Sequence, residues 1–252
     1  VSSRVVPGGR LVRLGAVVPS SMSPALLRRV ATLSERAGLD AIWIAPFGHT
    51  TTSSDEDMLA MLADAAEETG TIVLGAWLRD VPSRFPPPLA GRLEVTVPIE
   101  RRRPCPATLA RIWCVAGQVR HWPPGDLLVV PAASLAPPPR PSRAKLAVAV
   151  PLSIGRTTAE AEARARDDPL FAMVGYPSQA GIFGTLEECQ QQVLSLARAG
   201  VVDVRCILPS TPDVHDVIAQ LSAVPMGGRP GRSALRYGSR DSLVDPWIAC
   251  DQ

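Results

Sequence analysis

The first third of the chain alternates short apolar runs with amphipathic helices, and this alternation constrains the fold most. Residues 11–18, 41–45 and 72–77 are near-continuously apolar and rich in β-branched side chains, as expected for strands buried on both faces. Between the first two, Ser23-Pro24 supplies an N-cap and a proline at the first helical position. Leu26, Leu27, Val30, Leu33 and Ala37 then share one helical face up to Gly38. Between the second and third, residues 55–69 carry acids in their first turn, where the helix dipole favours them. Met58, Leu59, Leu62, Ala65 and Ala66 face inward, and Gly70 ends the helix. A β-α-β-α-β order with connections this long predicts a parallel sheet with helices outside it. No Gly-x-Gly-x-x-Gly follows the first strand, so the fingerprint of a dinucleotide-binding sheet is missing. The length of 252 residues matches a (β/α)8 barrel.

Proline changes the pattern in the middle. The chain holds 26 prolines, about twice the usual share, and most of the excess lies between Pro82 and Pro151. Residues 80–91 contain Pro82, Pro86, Pro87 and Pro88 and cannot form a helix of normal length. Residues 92–97, 126–130 and 145–150 read as strands. The links 117–125 and 131–144 are too short or too broken for full helices. Residues 107–120 read two ways. Leu109, Ile112, Trp113, Ala116 and Val119 have helical spacing, whereas 112–116 also reads as a short strand. The last third is regular again. Helices are predicted at 157–167, 185–199 and 213–221, with Thr185 and Glu188 forming a capping box and a strand at 202–208. Beyond Pro225 the sequence turns loop-like, and Trp247 with Ile248 predicts an arm that docks. The organisation expected is one barrel domain over 1–224 and a C-terminal arm over 225–252.

Lys145 is the only lysine beside 25 arginines, and 24 acids leave a net charge of +2. That balance argues against a nucleic-acid partner, which calls for a basic stripe. Five cysteines with no Cys-x-x-Cys spacing argue against a zinc site or disulfide framework. No apolar run reaches the ~18 residues of a membrane span, and a secretory leader pattern is missing. The expectation is a soluble, cytoplasmic protein with no metal and no membrane contact. Neither a Gly-x-Ser-x-Gly elbow nor a catalytic acid pair is present. Of the three histidines, His121 and His215 read as surface residues. His49 follows the second strand, at the end of a barrel where sites are built. A general acid–base role for it stands beside a solvated loop histidine.

Several segments together carry a family likeness. They are residues 26–44, with Ala37-Gly38-Leu39-Asp40 leading into Ile42-Trp43-Ile44; 58–75, ending Ile72-Val73-Leu74-Gly75; Gly91-Arg92-Leu93-Glu94-Val95; Ile112-Trp113-Cys114-Val115-Ala116-Gly117; and 184–201, opening Gly184-Thr185-Leu186-Glu187-Glu188. In this order they resemble the luciferase-like monooxygenase family, the flavin- and F420-dependent TIM barrels. The resemblance implies a (β/α)8 TIM-like barrel in which several outer helices are replaced by proline-rich loops, and it favours a strand at 112–116. It implies a flavin- or F420-dependent oxidoreductase or monooxygenase acting on a small organic substrate. The ring of FMN or F420 would lie across strand ends at Pro19, Ala45-Pro46, Gly75-Ala76, Trp77, Thr96, Pro98 and Gly117. A cis peptide at Gly75-Ala76, against which the ring packs, is implied too; beside it stands the reading of a glycine that only lets a neighbour pack close. Arg79 and Arg101, just past strands three and four, read either as partners for a phosphate or as solvated arginines, and His49 is the catalytic candidate. Trp77 reads as a ring wall or as core, and Trp43 as barrel packing.

The sequence also departs from the family. Where the family has an acid or amide followed by histidine, this chain has Ala45-Pro46-Phe47. After the fifth strand, Gly117-Gln118 runs into His121-Trp122-Pro123-Pro124. The alternative is therefore a degenerate, cofactor-free barrel acting as a partner or stabilising subunit. Strands four to seven lack covering helices, so their outer faces need proline-rich loops, the C-terminal arm or a second subunit. A homodimer, or a heterodimer with a related subunit, is expected on that ground.

Overall fold

In a computed structural model, residues 12–47, 53–98, 110–116, 126–129, 145–176, 180–210, 218 and 248–249 are described. Eight parallel strands close into a ring: β1 Arg13–Pro19, β2 Ala41–Ala45, β3 Val73–Trp77, β4 Leu93–Pro98, β5 Ala110–Ala116, β6 Asp126–Val129, β7 Leu146–Ile154 and β8 Val201–Ile207. Each pairs with its neighbour in chain order, and β8 pairs with both β7 and β1. This is the barrel the sequence predicts, with strands wherever the apolar runs stand. Within the run at 107–120, residues 110–116 form a strand. Its helical spacing is overridden by the need to bridge β4 and β6. β7 extends past its expected end at Val150, through Pro151 to Ile154.

The helices form where caps and apolar stripes coincide. Helix α1 (Pro24–Ala37) starts on the Ser23 cap and stops at Gly38, whose φ of 82° is the left-handed conformation suited to glycine. Helix α2 (Asp55–Glu68) begins with a capping box between Ser54 and Asp57. Helices α3 (Thr158–Asp167), α4 (Pro169–Met173) and α5 (Leu186–Arg198) follow β7, with a short strand Ile182–Gly184 beside the end of β7. The predicted helix at 213–221 lies almost wholly outside the described residues. No described helix is long and apolar enough to cross a membrane.

Alternation along each strand separates two cores. Leu14, Ala16, Val18, Ile42, Ile44, Leu74, Ala76, Val95 and Val148 face outward and pack with α1, α2 and α5. Val17, Ala41, Trp43, Ala45, Trp113, Ala147, Ala149 and Ile207 face the lumen. In place of a helix, the proline-rich segment after β3 forms a two-residue strand, Arg84–Phe85, and one 3-10 turn, Pro87–Leu89. Its Val81, Phe85 and Leu89 are buried in the same core as Leu93, Val95 and Val97 of β4. Ile248–Ala249 of the arm pairs antiparallel with Arg84–Phe85. The outer side of β4 is thus covered by the loop, and the arm docks on that loop.

One contact on the N-terminal face of the barrel is exposed to pH. Glu35, near the end of α1, accepts hydrogen bonds from the backbone N–H of Gly70, Thr71 and Ile72 and from Thr71 Oγ1, at 2.5–3.1 Å. Burial pushes its carboxyl up, but these donors, Thr71 foremost, overcome that and hold it down at about 2 against an ordinary 4.5. The folded value lies below the unfolded one, so the stabilisation is full above about pH 4.5 and is lost as pH falls towards 2. The Glu35→Gln variant is therefore expected to melt lower at neutral pH, with the gap to the wild type closing between pH 4.5 and 2. Parallel melting curves across that window would contradict the assignment.

Candidate functional site at the barrel mouth

The C-terminal strand ends converge on one mouth. Pro19 is half-buried, Pro46 and Pro98 are exposed, and Ala45 and Thr96 are fully buried. Trp77 is half-buried and meets Phe47 edge to face at 5.8 Å. These residues come from loops and ends of β1 to β4, and the structure brings them to the same rim. Ala76 goes elsewhere: its side chain faces the outer core. Gly75 faces the lumen, and a Cβ built on it would sit 2.2 Å from the Trp43 ring. Gly75 therefore makes room for Trp43. His49, Arg101 and Gly117 lie outside the described residues.

Arg79 is exposed but tethered to neighbouring loops. Its backbone N–H donates to Asp55 Oδ2 at 3.0 Å, its Nη2 donates to the carbonyl of Ser53 at 3.3 Å, and its Nε lies 3.7 Å from Asp55 Oδ1. Ser53 Oγ in turn donates to the carbonyl of Ser20. Arg79 thus stitches the loop after β3 to the start of α2, and through Ser53 to the loop after β1.

Below the rim the lumen is filled by a charged network that sequence reasoning missed. Arg205 on β8 is fully buried. Its Nε donates to Asp203 Oδ2 at 3.2 Å and its Nη1 to Thr96 Oγ1 at 2.7 Å. The guanidinium lies 3.4 Å from the centroid of Trp43 and 4.6 Å from that of Trp113. Arg13 on β1 donates to Glu94 Oε1 at 2.6 Å, and Trp113 Nε1 donates to Glu94 Oε2 at 2.8 Å. Burial pulls Arg205 down to about 10, while Asp203 and Glu94 oppose it. Burial also lowers Arg13, but Asp203 and Glu94 outweigh this and raise it. Both arginines stay charged at neutral pH. A signal was present in the sequence: Asp203 and Arg205 stand two apart in an otherwise apolar strand, so both face the same side.

A cover lies above the rim. Only three residues separate β7 from α3, so the chain turns back over the C-terminal face. Ala165 of α3 and Leu170 and Phe171 of α4 are buried in the lumen cluster with Val17, Ala45, Ala149 and Ile207. Tyr176 and Phe183 pack on it, with ring centroids 4.7 Å apart and 6.5 Å from Phe171. The mouth is thus lined on one side by Phe47 and Trp77 and closed on the other by aromatics following β7.

The sequence matches no family model and no curated protein. Solved structures do match. The coenzyme F420-dependent tetrahydromethanopterin reductase of Methanopyrus kandleri aligns at 13% identity and a TM-score of 0.56, covering 84% of this chain and 98% of that one. An F420-dependent secondary alcohol dehydrogenase, in complex with an F420-acetone adduct, aligns at 13% identity and 0.58, covering 87% and 99%. The oxygenating constituent of 3,6-diketocamphane monooxygenase from Pseudomonas putida, in complex with FMN, aligns at 10% and 0.57, covering 86% and 98%. This chain has the fold of F420- and flavin-dependent barrel enzymes, as the luciferase-like resemblance implies.

Proposed function

We propose that the protein is an oxidoreductase of the luciferase-like kind that holds FMN or F420 at the C-terminal mouth of its barrel. The observation that carries this reading is the rim itself. Pro19, Pro46, Phe47, Trp77 and Pro98 form an apolar edge over a lumen that is filled below it, which suits a flat ring lying across the strand ends. Arg205, Trp43 and Trp113 keep the ring at rim level. Gly75 offers it no extra room, because that space belongs to Trp43. When bound, the cofactor supplies the hydride or oxygen chemistry, while the protein orients it and excludes water. In this reading Trp77 and Phe47 wall the ring, Thr96 lies beneath it, and Arg79 fixes three rim loops in place. His49 remains the candidate acid–base residue.

Titration with FMN and with F420, followed by absorbance and fluorescence, tests the reading. Saturable binding of one of them with a perturbed ring spectrum is expected. A second reading, a cofactor-free barrel serving as a partner subunit, is favoured by one observation: the chain's own Leu170 and Phe171 fill the mouth. Failure of both cofactors to bind, oxidised or reduced, would decide for it.

A further inference from the structure

The short helix α4 does something a surface helix does not: it places two apolar side chains in the mouth of the barrel. Leu170 is 1% exposed and Phe171 fully buried, in the lumen cluster with Ala45 of β2, Ala149 of β7 and Ile207 of β8. A five-residue helix has little stability of its own and needs to be held. The holding residue is Asp168, itself 1% exposed. Its Oδ1 accepts from the backbone N–H of Leu170 at 2.9 Å and of Phe171 at 3.2 Å, so it caps the helix. Its Oδ2 accepts from the backbone N–H of Ser210 at 2.8 Å and from Ser210 Oγ at 3.1 Å. Ser210 follows the end of β8 by three residues. One carboxylate therefore starts α4 and ties it to the loop of the next strand.

We propose that α4 is a latched plug, with Leu170 and Phe171 closing the mouth and Asp168 with Ser210 forming the latch that must open for a ligand to enter. The latch is separable from the plug. Asp168 is a buried carboxylate whose acceptors are met by four donors on two segments, so weakening the Ser210 side frees α4 without disturbing the barrel ring. The segment β7–α3 on one side and the turn Val174–Tyr176 on the other act as hinges. The turn includes Gly175 at a φ of 95°, a conformation that side chains rarely adopt. The aromatic group Phe171, Tyr176 and Phe183 would travel or part as the plug lifts. Access to the site proposed above depends on this movement, but the latch exists whatever the ligand is.

Amide hydrogen exchange on the full-length protein tests the latch without any ligand. Two variants weaken it differently. Ser210→Ala removes the hydroxyl donor and keeps the backbone bond. Asp168→Asn keeps an oxygen to cap α4 but brings an N–H against the Ser210 N–H. Exchange across 165–176 is expected to speed up about fivefold in S210A, the effect of one lost hydrogen bond, and by more in D168N. Exchange in α5 and in β1–β2 should stay at wild-type rates, the mark of local rather than global opening. If 165–176 exchanges at the same rate as α5 in the wild type and in both variants, α4 opens only with the whole fold and the latch is refuted. The FMN and F420 association rates give the second reading. In a cofactor-binding protein they should rise in S210A in step with exchange, and rates unchanged by a faster-opening α4 would mean that the plug does not gate the site. Accelerated exchange with no cofactor bound by any variant would leave the latch standing and remove the flavin reading.

Discussion

Replacing Arg205 by methionine is expected to cost the barrel about 3–5 kcal/mol, the loss typical of a buried ion pair broken on one side. Methionine fills much of the same volume and keeps contact with Trp43 and Trp113, so the loss is not mainly a cavity. It comes from the partners left behind. Asp203 is fully buried and would lose the Nε donor at 3.2 Å. Thr96 Oγ1 would lose its donor at 2.7 Å. The guanidinium's stacking on Trp43 at 3.4 Å would go as well, a contact worth about 2 kcal/mol where water is excluded. Adding Asp203→Asn removes the stranded charge, so the double variant should regain about 1–2 kcal/mol over R205M alone, part of the cost of leaving a buried polar partner unmet. Arg79→Ala is the control. Arg79 is 73% exposed and stands 3.7 Å from Asp55, so its side-chain pair should be worth no more than about 1 kcal/mol. Urea midpoints and slopes for the four proteins measure this. An R205M protein as stable as R79A would mean the network is not what holds the lumen.

This contrast also separates what could be read in the sequence from what could not. The ring was legible, because each strand is an apolar run bounded by proline or glycine, and each helix in the regular thirds carries its own cap. Docking of the arm was expected from the sequence around Ile248, and Ile248–Ala249 do pair with Arg84–Phe85. The site was legible only as a position. Strand ends name the rim residues, but whether a side chain faces lumen or helices depends on exact register. Ala76 and Gly75 are adjacent and face opposite ways for that reason. The charged lumen was hidden because its members are far apart in sequence: Arg13 meets Glu94 and Arg205 meets Thr96 only once the ring has closed. The plug was hidden too. Five residues that open with a proline carry too little periodicity to predict a helix, and the bonds from Ser210 to Asp168 join two separate loops.

The second large effect is expected at Gly75. Alanine there would put a Cβ 2.2 Å from Cε3, 2.3 Å from Cδ2 and 2.6 Å from Cζ3 of Trp43. Contacts this short must be relieved by movement, and Trp43 has nowhere to go. Its ring is fully buried, with Arg205 stacked on it and Arg205 anchored in turn to Asp203 and Thr96. Displacing the indole means pulling the guanidinium off its partners. The alternative is to push β3 outward against β2, where Gly75 lies opposite Trp43 in register. Either route makes G75A worse than ordinary overpacking, so a loss of about 3 kcal/mol or more is expected, at the top of the usual range. Gly15→Ala provides the graded comparison. Its nearest contacts, with Ala41 and Trp43, lie at 3.1–3.4 Å, which neighbours can relieve by shifting a few tenths of an ångström, so its loss should be the smaller. Trp43→Leu placed in the G75A background removes the clash and should restore part of the stability, even though W43L alone leaves a void and is itself destabilising. A G75A protein with wild-type stability, or a double variant no better than the sum of its parts, would show that Trp43 is free to move. The rim would then have a softer floor than the packing implies, because the same indole supports Arg205 and, through it, Thr96 beneath the mouth.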